Sequence, residues 1–276
     1  LPDGSSVVLD LERDPRAVFA DGLIEDERFA RSHVNRAWAW LLGRGLVHEE
    51  DDLRPDNPAA HPDVLAWLAQ ELVDHRFDSR HIYRLILNSA TYQLSCEPTP
   101  ENATDETYFS HYLPRRLDAE VLIDALNQIT GSRERYQSEI PEPFTFVPEH
   151  HRSITLGDGS ITSPFLDMFG RPPRDTGLAS ERSNTPADRQ ALHLLNSSHV
   201  QNKIARSWRL RQAVKQTREP PRLVRRLYME ILSRPPTPEE METARAYRAD
   251  NKGRRGEATG DVAWALINTT EFLYRH

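Results

Sequence analysis

The side chains best suited to chemistry lie in one turn-rich stretch of the sequence, residues 164–198. It carries a dense set of arginines and carboxylates: Arg171, Arg174, Glu181, Arg182 and Asp188. Guanidinium groups bind carboxylate, sulfate or phosphate through paired hydrogen bonds. Loops that a rigid scaffold positions are also where binding and catalytic groups concentrate. The stretch is therefore a candidate binding site for a small anion.

The same charges permit a purely structural interpretation, because ion-pair networks imitate functional sites. In that interpretation, which we favour, the charged residues around 171–182 form one network that clasps a helix over residues 186–209. Two residues of an upstream helix, Asn35 and Arg36, are expected to be neighbours of this network. The candidate binding residues are Asn35, Arg36, Arg171, Arg174, Glu181 and Arg182.

An enzyme would need a general acid and a general base, and the sequence offers carboxylates and histidines in irregular segments for these roles. Asp52, Glu181 and His151 could supply such a pair if the fold brings two of them together. The sequence has no glycine-rich phosphate loop, nucleophile-elbow serine motif or His-Glu-x-x-His helix. It therefore leaves the question of an enzyme open and identifies no catalytic residue.

Two segments carry groups of the kind that bind metals. Asp51, Asp52 and Asp56 supply oxygen ligands such as Ca²⁺ prefers, but their spacing does not match the regular calcium loop. His150 and His151 are adjacent, but no third ligand follows at a recognisable spacing. A solvated acidic loop and a pair of surface histidines are the favoured interpretations, so we predict no bound metal.

Composition narrows the class of protein. The 276 residues carry a net charge of −7, and the sequence pI is near 5.9, which argues against a nucleic-acid partner. The single cysteine, Cys96, excludes an internal disulfide and covalent haem attachment through a Cys-x-x-Cys-His motif. No segment approaches the ~18 apolar residues of a membrane span, and a signal for export, if there is one, is expected outside this sequence.

The sequence predicts that the secondary-structure elements that position these residues are mainly helices. Apolar residues recur at helical spacing in several segments: 27–46, 62–72, 79–94, 114–131, 186–208 and three short helices after 220. Residues 132–185 lack such periods, and short strands are predicted at 144–147 and 153–156. The prediction is one mainly α, multi-helix domain with a long irregular insert and a small β-ribbon. Its parts are an arm (1–25), an N-terminal helical part (26–131), the insert (132–185) and a C-terminal helical part (186–276).

Several short motifs, taken in order, resemble a known family, a planctomycete cytochrome-associated C-terminal domain of unknown function, the "PSD one" type. The resemblance covers nearly the whole chain. It rests on residues 34–38 (VNRAW), 43–47 (GRGLV), 61–68 (HPDVLAWL), 85–92 (LILNSATY), 114–120 (PRRLDAE), 169–174 (FGRPPR), 181–183 (ERS), 190–196 (QALHLLN) and 263–273 (AWALINTTEFL).

The resemblance implies an extracytoplasmic protein, either secreted or in a periplasm-like compartment, and no known activity. It also implies partners: other domains of a longer chain, or a cytochrome-like protein that carries the haem, with no cofactor in this chain. We therefore predict a binding or scaffolding domain of a redox or polysaccharide-processing assembly, with a polysaccharide or a small anion as ligand. The alternative is a hydrolase, acting on glycans, that uses the charged cluster over residues 171–188.

Overall fold

The chain folds mainly into helices. The computed structural model describes residue 4 and residues 14–141, 143–173, 181–183, 185–251 and 254–275. Within these residues the strands form only short two-stranded sheets, and the helices account for most of the ordered backbone. The prediction of a mainly α protein with a small β-ribbon is confirmed. Across the same residues, no helix is both long enough and apolar enough to cross a membrane.

The chain divides into two compact units, with the boundary between Pro114 and Arg115. The helices of the first unit are α1 (Pro15–Glu25), α2 (Glu27–Leu42), α3 (Pro62–Asp74) and α4 (Ser79–Leu87). The side chains of Asp14, Asp26 and Asp78 accept hydrogen bonds at the starts of α1, α2 and α4, as helix N-caps do. A core of buried apolar residues, among them Val34 and Leu72, lies in this unit.

The helix ends in the first unit have local causes. Helix α2 ends at Leu42, because Gly43, the first of the two glycines expected to stop it, adopts the left-handed conformation that closes a helix. Helix α4 ends at Leu87 and not near residue 94, because the side chains of Asn88 and Ser89 turn back and donate to backbone carbonyls of the last turn. Trp38 is buried, whereas Trp40 is 51% exposed.

The second unit begins with a strand where a helix was predicted. Strand β1 (Arg115–Arg116) pairs antiparallel with β4 (Tyr274–Arg275), so helix α5 (Ala119–Thr130) begins later than expected. As predicted, α5 ends at Gly131, which is again left-handed. Because α5 carries much of the core of this unit, it positions the charged groups described below.

The irregular insert contains the predicted ribbon, but at other residues. Strand β2 (Gln137–Ser138) pairs with β3 (Ile161–Thr162), and no strand forms at 144–147 among the residues described there. The segment 153–156, also predicted as a strand, is instead a 3₁₀ turn over Ser153–Thr155. Its shape follows from Asp124, whose carboxylate accepts hydrogen bonds from two successive amides, those of Ser153 and Ile154.

The remaining helices of the second unit, within the residues described, are α6 (Pro164–Met168), α7 (Asp188–Asn196), α8 (Ser198–Ala205), α9 (Trp208–Gln216), α10 (Pro220–Ile231), α11 (Pro238–Asp250), α12 (Arg255–Ile267) and α13 (Thr270–Leu273). The helix predicted over 186–208 is broken twice. Ser197 and Ser207 each cap the helix that follows, since their hydroxyls accept from backbone amides three residues on. Thr237 and Glu240 form a capping box at the start of α11.

Candidate functional site

The predicted charge cluster is organised around a glutamate in the first turn of α5. Glu120 is fully buried. The guanidinium of Arg182 donates to both carboxylate oxygens of Glu120, at 2.8 and 2.9 Å. The Nε of Arg171 lies 3.7 Å from the same carboxylate. Two arginines from the sequence-predicted site therefore share one buried acid.

Arg171 also connects this acid to the β2–β3 ribbon. Its side chain is 1% exposed, and its guanidinium donates to the carbonyls of Ile161 and Asp158. Several of its hydrogen-bonding groups are thus directed at protein atoms. This arrangement is that of a clasp between α5 and the ribbon, and it differs from an arginine presented to a free anion.

A second arginine, Arg116 of β1, extends the same layer to α7. It donates to the side-chain oxygen of Gln190 and, at 3.1 Å, to the carbonyl of Phe169. Gln190 in turn donates to the carbonyl of Met168 at 2.8 Å. The start of α7 is therefore held against the end of α6, within the region over which a clasp was predicted.

The segments that hold Arg171 and Arg182 touch directly. The amide of Ser183 donates to the carbonyl of Gly170 at 3.3 Å. Gly170 has a φ of +86°, and a Cβ at this position would overlap the carbonyl oxygen of Ser183. Glycine is therefore required here both for the backbone conformation and for the close approach of the two segments.

The electrostatics keep this network ionised. Burial on its own raises the pKa of Glu120, but the hydrogen bonds and charge of Arg182, with the charge of Arg171, bring that pKa below its ordinary value. Burial likewise disfavours charged Arg182, but Glu120 and Asp118 raise its pKa overall. A carboxyl with a lowered pKa is a poor proton donor near neutral pH. The network is suited to holding structure and not to general acid catalysis.

The other predicted binding residues fall into different surroundings. Asn35 is fully buried in the first unit, where its amide accepts from the amide of Val47 and donates to the carbonyls of Val47 and Glu50. Arg36 pairs with Asp51 at 2.5 Å. Glu181 is partly buried, and Arg174 lies outside the described residues. The expected neighbourhood of Asn35 and Arg36 with the cluster stays a prediction.

The metal ligands predicted from the sequence, in the acidic loop and at His150 and His151, either pair with arginines or are exposed at the surface. Asp52 pairs with Arg54 at 2.7 Å, and Asp56 lies 3.8 Å from the same arginine. His150 is exposed beside Arg133, and His151 is exposed as well. Within the described part of the chain, three other side chains lie close enough together to hold one metal ion: Glu71, His75 and His81. Sequence reasoning missed it, although Glu71 and His75 have the four-residue spacing that places two side chains on one helix face.

A second buried polar cluster joins α8 to the segment after α5. The ammonium of Lys203 contacts Glu134 at 3.1 Å and donates to Asn127 and to the carbonyl of Arg133. His199 lies 3.1 Å from the same carboxylate. Burial raises the pKa of Glu134, but His199 and Lys203 lower it overall. Every carboxyl among the described residues whose pKa is clearly shifted has it lowered.

The second unit also carries a groove that runs along α12, formed by two adjoining clefts of 630 and 480 Å³. Asp261 and Trp264 line both clefts. The larger cleft is walled by α10 and α11 through the aromatic rings of Tyr228 and Tyr247. The hydroxyl of Tyr247 donates to Asp261 at 2.7 Å. We call these two clefts together the α12 groove.

The walls of the α12 groove are mostly apolar and carry charges of both signs. Acidic side chains in the larger cleft come from α11 and α12, whereas the smaller cleft adds the basic residues Arg211 and Lys215 of α9. Glu240 at its rim is already paired with Arg234 at 2.8 Å. Concave, largely apolar surfaces with a few polar groups are typical of sites for small molecules. Sequence reasoning missed this groove, because its walls come from helices far apart in sequence.

The protein is mainly α. Arginines of its densest charged motif pair with the buried Glu120, and the α12 groove is a separate, partly aromatic surface. The chain belongs to the PSD1 family, described as a protein of unknown function (DUF1553), and the family model matches residues 15–248. No curated protein and no solved structure shows significant similarity to the chain.

Proposed function

We propose that this chain is a non-catalytic binding domain and that it takes neutral saccharide units in the α12 groove. The observation that carries the proposal is the combination of aromatic side chains with an acidic acceptor along one concave surface. Tyr247, Asp261 and Trp264 supply it, and the groove offers 630 Å³ in its larger cleft alone. Aromatic rings pack against the apolar faces of a sugar ring, while carboxylates accept hydrogen bonds from its hydroxyls.

The charges of the groove favour a neutral ligand over an anion or a cation. Glu239, Glu240 and Asp261 line the larger cleft, whereas the smaller cleft adds Arg211, Lys215 and Glu257, so charges of both signs lie along the groove. A charged ligand would meet repulsion as well as attraction along the groove, whereas a neutral polyol would not. The elongated shape suits a chain of two or more sugar units.

Trp264 adds a hydrogen-bond donor. Its indole Nε1 is buried and makes no hydrogen bond to any of the residues that the structure describes. A buried donor without an acceptor costs roughly 1–3 kcal/mol, which an acceptor on a bound ligand would recover. Trp264 lines both clefts, so we propose that a hydroxyl of the bound sugar becomes this acceptor.

The alternative of a glycan hydrolase that uses the cluster over 171–188 has less support. Glu120, the acid that Arg171 and Arg182 share, is buried, ionised and occupied by two hydrogen bonds from Arg182. A glycosidase needs one carboxyl with a raised pKa that protonates the leaving oxygen. We therefore assign the cluster a structural role and place binding at the α12 groove.

The resemblance of the sequence motifs to cytochrome-associated planctomycete domains supports the wider setting that we propose. In that setting the domain is extracytoplasmic and belongs to a redox or polysaccharide-processing assembly, with any haem on a neighbouring domain or partner. A saccharide-binding surface would hold such an assembly on its polymer substrate. The scaffolding role and the binding role are then two aspects of one function.

The test is isothermal titration calorimetry of the purified chain against a panel of neutral oligosaccharides, with sulfated oligosaccharides and inorganic phosphate as the anionic comparison. Tyr247→Phe removes the donor of the hydrogen bond in the groove, and Asp261→Asn replaces its charged acceptor by a neutral amide that keeps only one accepting oxygen. Tyr108→Phe and Asp56→Asn are matched controls, because both side chains are exposed in the first unit. We expect binding of a neutral oligosaccharide that the groove variants weaken at least about tenfold, or ~1.4 kcal/mol, and the controls leave intact.

Two outcomes would overturn the proposal. One is the lack of heat for every neutral oligosaccharide at millimolar concentration while the chain is folded by circular dichroism. The other is binding that the groove variants and their controls affect equally. Binding of the sulfated compounds alone, lost in Arg171→Lys but not in Asp261→Asn, would move the site to the charged cluster.

A further inference from the structure

A histidine-rich cluster in the first unit is separate from the α12 groove. Glu71 lies on α3, His75 follows the last residue of that helix, and His81 lies on α4. Their potential metal-ligand atoms all fall within 4.8 Å of one another. Glu71 and His81 are partly buried and His75 is exposed, so the cluster is open to solvent on one side.

The hydrogen bonds of the cluster orient its donor atoms. The Nδ1 of His75 lies 3.0 Å from the backbone carbonyl of Glu71. A carbonyl oxygen only accepts, so this contact places the proton on Nδ1 and leaves the lone pair on Nε2. Metal-binding histidines are commonly oriented by such a bond from the other ring nitrogen. The Nε2 of His81 lies 2.8 Å from a carboxylate oxygen of Glu71.

The two imidazole rings are held face to face, with ring centroids 3.6 Å apart and 16° between their planes. Imidazole nitrogens are common ligands of divalent transition metals, and the two rings lie close enough to serve the same ion.

The turn that brings the histidines together is strained. Arg76 and Phe77, between α3 and α4, both have positive φ, 53° and 60°, although neither is glycine. Such conformations cost of order 1–3 kcal/mol each and tend to occur at ligand clamps and active sites. Here the amide of Phe77 donates to the carbonyl of Leu72 at 2.7 Å, which holds the tight reversal. The reversal turns α4 back so that His81 meets Glu71.

We propose that Glu71, His75 and His81 bind one divalent transition-metal ion of the zinc class. Two imidazoles and one carboxylate are a common ligand set for Zn²⁺, and the open side leaves a fourth position for water or for a ligand from a partner. Donor atoms in a tetrahedral zinc site lie about 3.3 Å apart, given bonds of about 2.0–2.1 Å. The donor atoms of the three residues already lie within 4.8 Å of one another, so we expect small side-chain adjustments to bring them to that spacing.

The experiment titrates the full chain, freed of metal with a chelator, with ZnCl₂ by calorimetry and with CoCl₂ by visible absorption. His81→Ala and Glu71→Gln each remove one ligand, while His150→Ala removes an exposed histidine of the second unit. We expect one equivalent of metal, a tetrahedral Co²⁺ spectrum and a higher Tm with Zn²⁺. His81→Ala and Glu71→Gln should weaken binding about 10- to 100-fold or more, and His150→Ala should not change it.

The proposal fails if the folded wild-type chain binds no stoichiometric Zn²⁺ or Co²⁺. It also fails if the metal binds but neither ligand variant weakens it, because the ion would then lie elsewhere. Glu71→Gln is nearly isosteric and preserves the shape of the cluster, so it keeps the test decisive if His81→Ala is poorly folded. Circular dichroism of each variant separates loss of binding from loss of folding.

Discussion

At the scale of single residues, Glu120 shows how position changes the meaning of a side chain. In the sequence it is an acidic residue near a helix start, where it suits the helix dipole. In the folded unit it is fully buried, and its carboxylate neutralises Arg182 and faces Arg171. A buried pair of this kind need not add net stability, but removing one partner leaves a buried charge without compensation.

We therefore predict that Glu120→Gln is strongly destabilising. The variant keeps the shape of the side chain but leaves the buried guanidinium of Arg171 and the partly buried one of Arg182 without their shared counter-ion. The expected loss in the free energy of unfolding is about 3–5 kcal/mol, measured by urea denaturation near neutral pH. Glu149→Gln is the matched control, because its side chain is 86% exposed, and it should change stability by less than about 0.5 kcal/mol. A loss below about 1 kcal/mol for Glu120→Gln would contradict the structural role of the network.

At the scale of elements, a bridge of ion pairs ties α11 to α13. Arg234, just beyond α10, donates to both carboxylate oxygens of Glu240 at 2.8 Å and to those of Glu271 at 2.6 and 2.7 Å. Glu240 is also the acidic member of the capping box that starts α11. The hydrogen bonds from Arg234 are the main reason that the pKa of Glu240 is lowered to about 2.

This bridge predicts a dependence of stability on pH. The pKa of Glu240 in the folded chain lies below its ordinary value of 4.5, so its contribution is present above about pH 4.5 and is lost as the pH falls towards 2. We expect Glu240→Gln to lower the free energy of unfolding by about 1–2 kcal/mol near neutral pH, after allowance for solvent screening of this partly exposed pair.

The measurement is thermal or urea unfolding of both proteins across this pH range. The difference between wild type and Glu240→Gln should shrink towards acid pH. Glu242→Gln, on the same helix but without a partner in the bridge, should show no such convergence. A difference that stays constant with pH would show that the capping geometry, and not the charge, is what Glu240 contributes.

At the scale of the whole molecule, each of the two units has its own hydrophobic core, although a chain of this length could also form a single one. The buried cluster of the first unit includes Val34, Leu68 and Leu72, and that of the second includes Leu122, Leu126 and Phe165. Domains with their own cores can unfold as separate units. The boundary at Pro114 falls where a polar, proline-containing connection meets strand β1.

We predict that Leu72→Ala destabilises the first unit selectively. Leu72 is fully buried, so the cavity should cost about 2–5 kcal/mol. Hydrogen exchange read by mass spectrometry should lose protection in α2, α3 and α4 while α5 and α10 keep theirs. Leu192→Ala, at a position 58% exposed, is the control and should leave exchange unchanged. Equal loss of protection in both units would mean that the two cores unfold as one.

Much of the helical architecture follows from local rules and was open to prediction. Proline at the first turn, aspartate and serine caps and left-handed glycine after the last turn act over a few residues, so Pro62, Asp78 and Gly131 could be interpreted without a fold. The short strands were predicted at the wrong residues, because a two-residue strand is defined by its partner and not by its own sequence.

The sequence by itself determined the class of fold, most helix starts and the presence of a dense charged motif with Arg171 and Arg182. Only the tertiary structure decided what those arginines do, since Glu120 is distant in sequence and enters the network through packing of α5. The α12 groove and the cluster of Glu71, His75 and His81 also depend on which helices meet. Local propensities act within a few residues, whereas burial, pairing and the shape of a cavity are set by contacts between segments far apart in the chain.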